Sequence, residues 1–337
     1  MNMRTPGPGL LALRAEMARQ HRDALDSYHG NGQVAASIAT ALRNRRRLLL
    51  LGMGASHAVN RMVEISYRRL GIEAVSLPLS EQLYAPLDIS GSVVIVTSQS
   101  GESIEVHRLF GSLKDHRDVF GLTLEGGSTL AQSCPSLIGR GGTERAFAAT
   151  RSLLISLALH QRVLADLGSD PAPALSVLAA PETPDLSAAL AALLSCNALV
   201  FSGRAMRGLA EAAALGAMEL GRLPALALEG GQFRHGPLEI LGKDVGVVLI
   251  KSDAATATLV DNIAAQCIAA GSPTILLDAS GSPAPSGAIQ ILVRRAADVA
   301  AALALLPPAQ SLIIELADAR VDNVGTPLRS GKITREE

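Results

Sequence analysis

Tryptophan is absent from this sequence, and aromatic side chains amount to three tyrosines and five phenylalanines in 337 residues. That scarcity argues against base-stacking platforms and aromatic-lined sugar troughs, so a ligand would be held by polar groups. An excess of one charge is lacking too. Thirty basic residues against 31 acidic ones leave a net charge of -1, which gives no electrostatic footprint for nucleic acid or an anionic membrane surface. Cys134, Cys196 and Cys267 lie far apart, without CxxC spacing or histidine neighbours. They read as reduced thiols of an intracellular protein, small core residues in neither a disulfide scaffold nor a zinc site, and no metal is expected. No run approaches the roughly 18 uninterrupted apolar residues of a membrane span, and MNMRTPGPGLLALRAEMARQ has no signal-peptide apolar region. The expected location is the cytoplasm.

What is present is apolar. With 48% hydrophobic and only 18% charged residues, the chain can bury a large core, and its length fits about two domains. Short apolar runs alternate with stretches of helical period, the pattern of βαβ units and parallel sheets. Leu48 to Leu51 ends at Gly52-Met-Gly-Ala-Ser56, after which Val59, Met62, Val63, Tyr67 and Leu70 fall on one helical face. Val93 to Thr97 is the next run. It stops at Ser98-Gln-Ser-Gly-Glu-Ser103, and Val106, Leu109, Phe110 and Leu113 follow at helical spacing. Residues 166–187, LGSDPAPALSVLAAPETPDL at their heart, are rich in proline and small side chains and read as a linker.

The second half repeats the first. Leu199-Val-Phe201 leads into Ser202-Gly-Arg-Ala205 and an alanine-rich helix, and Val247 to Ile250 leads into Lys251-Ser-Asp-Ala254 at a closely similar spacing. The second copy lacks the hydroxyl cluster and carries Asp253, whose charge would repel an anion. One anion-binding loop per chain is expected.

That loop is Ser98 to Ser103. Where a parallel strand enters a helix, unpaired amides and the positive end of the helix dipole attract anions. Gly101 permits a tight turn, and Ser98, Gln99, Ser100 and Ser103 can each donate to a phosphate oxygen. Without a lysine, an arginine or GxxxxGK[ST], the loop suits a monophosphate ester better than a nucleotide triphosphate. A helix cap by Ser100 or Ser103 is the competing use of the same hydroxyls. Gly54, Ala55 and Ser56 read as a second wall of the pocket; GxGxxG would need glycine where His57 stands.

Four ordered motifs, GMGAS (52–56), TSQSGES (97–103), GGTERAFAATRS (141–152) and EGGQFRHGPLEIL (229–241), resemble the sugar isomerase (SIS) family. Their arrangement is similar to the double-SIS isomerase portion of glucosamine-6-phosphate synthase, from about residue 30 onward. The resemblance implies an α/β fold of two tandem SIS domains, each a three-layer parallel sheet flanked by helices. The boundaries read as a helical segment 1–29, a phosphate-binding domain 30–165, the linker 166–187, a catalytic domain 188–320 and a tail 321–337 over the active site. It also implies a base, Glu219, sixteen residues before the histidine of the RHGP stretch, His235, which would open the sugar ring and is shared across a homodimer. Lys332 matches the family's tail lysine, which can form a Schiff base with the open-chain carbonyl, and Ala148 joins the substrate contacts. Glu219 is flanked by Ala217, Met218 and Leu220, apolar surroundings of the kind that raise a carboxylate pKa and suit it to proton transfer. Arg234 can contact phosphate or stay solvated.

Departures from the pattern shape the expected reaction. Gly216 stands where the synthase has a lysine, and Arg151, where the family often has lysine, reads as a structural neighbour of the phosphate pocket. The synthase's glutaminase is not found in the roughly thirty helix-like residues at the start. The expected reaction is therefore the downhill one, glucosamine 6-phosphate to fructose 6-phosphate and ammonia by proton transfer between C1 and C2, with no cofactor. A phosphosugar aldose-ketose isomerase, a fructosamine-6-phosphate deglycase and a non-catalytic sugar-phosphate sensor share the same loop. A small-molecule sugar phosphate is the expected partner, with no nucleic acid and no membrane.

Overall fold

The computed structural model describes residues 5–113 and 116–334; the expected helical segment 1–29 and the expected tail 321–337 extend in part outside the described residues. In chain order the first elements are α1 (Pro8–His29), α2 (Gly32–Arg45), β1 (Arg47–Gly52), α3 (Gly54–Arg69), β2 (Glu73–Pro78), α4 (Leu79–Tyr84), β3 (Val93–Thr97), α5 (Ile104–Ser112), β4 (Val119–Thr123), α6 (Thr129–Ser133), β5 (Ser136–Ile138) and α7 (Arg151–Asp166). Then come α8 (Ala172–Ala179), α9 (Ser187–Leu193), β6 (Ala198–Gly203), α10 (Arg207–Gly221), β7 (Ala225–Glu229), α11 (Gly230–Phe233), a 3-10 turn at Pro237–Ile240, β8 (Val245–Ser252), α12 (Ala257–Ala269), β9 (Thr274–Ala279), β10 (Ile289–Leu292) and α13 (Asp298–Arg320). Residues 166–187, read as a linker, contain α8.

Two five-stranded sheets form, ordered β2-β1-β3-β4-β5 and β10-β9-β8-β6-β7. All their strand pairs are parallel. Read from the other edge, the second is β7-β6-β8-β9-β10, the order of the first, so the repeat legible in the sequence is a repeat of topology. Helices cover both faces of a parallel sheet, which is why β3 is buried throughout and reads as an unbroken apolar run.

The chain divides into two compact units, each with one sheet. The first-sheet unit comprises Arg19–Arg145, Ala149–Ala180 and the segment from Arg329 onward; the second-sheet unit comprises the segment ending at Ala18, Ala146–Ala148 and Pro181–Leu328. Leu49, Leu51, Val94 and Val96 meet Val106 and Leu109 of α5 in one core, and Val247 and Leu249 meet Val260 and Ile263 of α12 in the other. Helix α13 is long and apolar enough to cross a membrane, but 83% of its most apolar stretch is buried inside the protein. It is a core helix.

Candidate functional site

In an open sheet, ligands bind beyond the carboxyl ends of the strands where the strand order reverses. In the first sheet that point lies between β1 and β3, and both glycine-bearing loops sit there. Beneath them Asn60, fully buried on α3, accepts a hydrogen bond of 2.8 Å from the Thr97 hydroxyl at the end of β3. Gly54 opens α3 with φ +50°, and Ala55 and Ser56 form its half-buried first turn.

The serine loop is pinned along its length. The Gln99 carbonyl accepts from the Leu124 amide (3.1 Å) and the Thr123 hydroxyl (3.1 Å), and the Gly101 carbonyl accepts from the Leu130 amide (3.1 Å). Ser98 Oγ accepts from the Gly101 amide at 3.1 Å, and Ser100 Oγ from the Glu102 amide at 3.2 Å. Accepting with the oxygen leaves each hydroxyl hydrogen available to a ligand oxygen. Ser103 occupies the N-cap position of α5, yet its side chain makes no cap bond, so the capping alternative does not account for this hydroxyl.

Glu102 ties the loop to its neighbours. Its carboxylate accepts from the Thr129 amide (2.6 Å) and hydroxyl (3.0 Å) at the start of α6, and His107 Nε2 lies 3.1 Å away. The Thr129 amide foremost, then the Thr129 hydroxyl and His107, hold this carboxyl below the usual range against a smaller opposing effect of burial.

Beside the loop is a cavity of about 560 Å³, lined among others by Gln99, Ser100, Glu102, Ser128, Glu144 and Lys332. Of the residues expected at the site, the structure brings Gln99, Ser100 and Lys332 to this cavity. Lys332 Nζ lies 3.4 Å from the fully buried carboxylate of Glu144. Glu144 lies within the GGTERAFAATRS motif, and its partner is 188 residues away, so no local pattern reveals the pair. Arg151 is fully buried and donates to Asp23 (3.1 Å) and to the carbonyls of Arg140 (3.2 Å) and Gly142 (2.6 Å). Its contacts are structural.

Glu219, His235 and Ala148 belong to the second-sheet unit. Glu219 is half-buried near the end of α10, and Ala148 is buried. The stretch around His235 is regular: α11, a turn, then the 3-10 segment, with the His235 amide donating to the Gln232 carbonyl (3.0 Å). His235 and Arg234 are exposed. Glu229 fixes this turn by accepting from the amides of Gly231 (2.7 Å) and Gln232 (3.1 Å) and pairing with Arg204 (3.1 Å).

Lys251, placed by sequence in a loop, lies inside β8, which runs on to Ser252. Its ammonium is fully buried, 2.8 Å from Asp261 and 3.6 Å from Asp278. Asp253 pairs with Arg295 at 2.8 Å, and its amide donates to the Ala296 carbonyl. The second sheet thus has ion pairs, that of Lys251 buried and that of Asp253 exposed, around the strand end where the first presents hydroxyls. Among the described residues no cluster of His, Cys, Asp and Glu could hold a metal ion.

The fold is that of the double sugar-isomerase proteins, the class the four motifs resemble. Among solved structures, tagatose-6-phosphate ketose/aldose isomerase from Escherichia coli superposes with a TM-score of 0.80 at 18% identity, over 96% of this chain and 98% of that one. Glucosamine-6-phosphate deaminase from Thermotoga maritima gives 0.76 at 19% identity, over 96% and 100%. In sequence, the chain is similar to the isomerizing glutamine--fructose-6-phosphate aminotransferase of Sulfurisphaera tokodaii, 25% identical over 74% of this chain and 44% of the relative. The same enzyme of Pyrobaculum aerophilum is 28% identical over 71% and 43%. The chain therefore spans less than half the length of these curated relatives. No family model matches it.

Proposed function

We propose that the protein is a phosphosugar enzyme that converts glucosamine 6-phosphate to fructose 6-phosphate and ammonia. The observation that carries this reading is the serine loop at the switch point of the first sheet, where the Ser98 and Ser100 oxygens accept from loop amides and so leave their hydroxyl hydrogens available to a ligand. A phosphate held there by Ser98, Gln99, Ser100 and Ser103 supplies binding energy far from the reacting carbons, which can keep the open-chain sugar aligned with the base. Fructose 6-phosphate in the relatives' names and the full-length fold match to a glucosamine-6-phosphate deaminase support the choice of substrate.

In this mechanism His235 assists ring opening, and Glu219 carries the proton from C2 to C1. The resulting ketose imine is hydrolysed by water, which releases ammonia. Lys332 faces the open-chain sugar, and a homodimer shares His235. A plain aldose-ketose isomerase is the second reading, favoured by the 0.80 superposition on the tagatose-6-phosphate enzyme.

Ammonia and fructose 6-phosphate are to be measured with glucosamine 6-phosphate, beside Glu219→Gln. Stoichiometric release by the wild type should fall at least about a hundredfold in the variant, the scale of a lost general base. Binding of the sugar phosphate without release by the wild type would refute the deaminase.

A further inference from the structure

Glu144 is the most completely enclosed charge beside the cavity. Its Oε1 accepts from the amides of Thr150 (3.0 Å) and Ser152 (3.0 Å), at the positive end of α7. Its Oε2 accepts from the Ser152 hydroxyl at 2.7 Å and faces Lys332 Nζ at 3.4 Å. Buried carboxylates are costly unless paired and hydrogen-bonded, and here the helix amides and the Thr150 and Ser152 hydroxyls meet that need. The lysine is an additional partner drawn from a distant segment.

A second anchor holds the same segment. The Thr334 carbonyl accepts from the Ile104 amide (3.2 Å), the first residue of α5 and the one that follows the serine loop. Two attachments, two residues apart, thus fix the tail between the starts of α5 and α7, with Lys332 in the cavity wall. A lysine on a four-carbon stem has many rotamers, and a fixed carboxylate reduces them before any ligand arrives.

We propose that Glu144 is a positioning residue: its carboxylate, immobilised by the start of α7, places the ammonium of Lys332 at the serine-loop cavity. This rests on reading that cavity as the phosphosugar site. The competing role for Glu144 is to cap α7 and nothing more. Glu144→Gln separates the two, because the amide oxygen can still accept from Thr150 and Ser152 while the charge facing Lys332 is gone.

The test uses the full chain in four forms: wild type, E144Q, K332M and the double variant. Trypsin cleavage after Lys332, followed by mass spectrometry, reads the tail directly. It is expected to be roughly tenfold faster in E144Q, with a melting temperature within a few degrees of wild type. In turnover of glucosamine 6-phosphate, E144Q should lower kcat/KM roughly tenfold when Lys332 is present and less than about twofold in the K332M background. Equal cleavage of wild type and E144Q, or equal kinetic losses in both backgrounds, would overturn the proposal and leave Glu144 as a cap. If the wild type does not turn over the sugar, the functional reading fails, and the cleavage rates still decide the role of Glu144.

Discussion

Gly101 answers to two constraints at once. Its φ of +64° lies in the left-handed region, and a Cβ there would stand 2.2 Å from Ser128 Oγ and 2.7 Å from Ser128 Cβ. Ser128 cannot yield freely, because its hydroxyl donates to the Glu125 carbonyl and accepts from the Ala131 amide. Gly101→Ala should therefore cost about 2 kcal/mol or more by thermal melting, and should abolish inorganic phosphate binding in calorimetry. A variant that melts and binds like wild type would show that the loop does not need this geometry. The loop was legible in sequence because its hydroxyls and its glycine fall within six consecutive residues at the end of an apolar run. The Glu144–Lys332 pair was not, since only the fold brings together residues so far apart.

At the level of elements, the strand-loop-helix junctions were read well where burial is uniform: β3 runs over Val93–Thr97, as the apolar run implies. The reading failed at Lys251, because a charged residue signals a strand end only when its charge must reach water. Here Asp261 and Asp278 accompany it into the interior, and Asp278 is held in turn by the Ser280 amide (2.7 Å) and Gln290 (2.7 Å). Lys251→Ala should destabilise the protein by roughly 3–5 kcal/mol in chemical denaturation, since Asp278 would be left buried without its cation. Replacing Lys251 and Asp278 together by Met and Leu should cost markedly less. A single variant as mild as the double one would show that the pair is not coupled.

For the molecule as a whole, acid sensitivity follows from one buried contact between α3 and α7. His160 is fully buried, its Nδ1 3.1 Å from the Tyr67 hydroxyl, and burial depresses its pKa to about 3. An unfolded chain takes up that proton near pH 6.5, the folded one only near 3. Stability contributed by the neutral ring is thus complete above about pH 6.5 and is lost as pH falls toward 3. Melting temperature should drop through that window, and His160→Gln should flatten the drop. An unchanged slope would point to carboxylates as its source.

The common strand order of the two sheets was legible only as a repeat of runs and loops, because order across a sheet depends on pairings that apolar runs do not encode. The division into compact units was less legible still. The first-sheet unit takes its last piece from Arg329 onward, after the whole stretch Pro181–Leu328 of the other unit.

That interleaving sets an order of manufacture. The ribosome delivers the serine loop and Glu144 first, and Lys332 arrives 188 residues later. At an elongation rate of about 5–20 residues per second, the interval is on the order of ten seconds or more. A nascent chain can fold its first sheet and present a formed serine loop during that time, before the lysine that completes the cavity wall has been made.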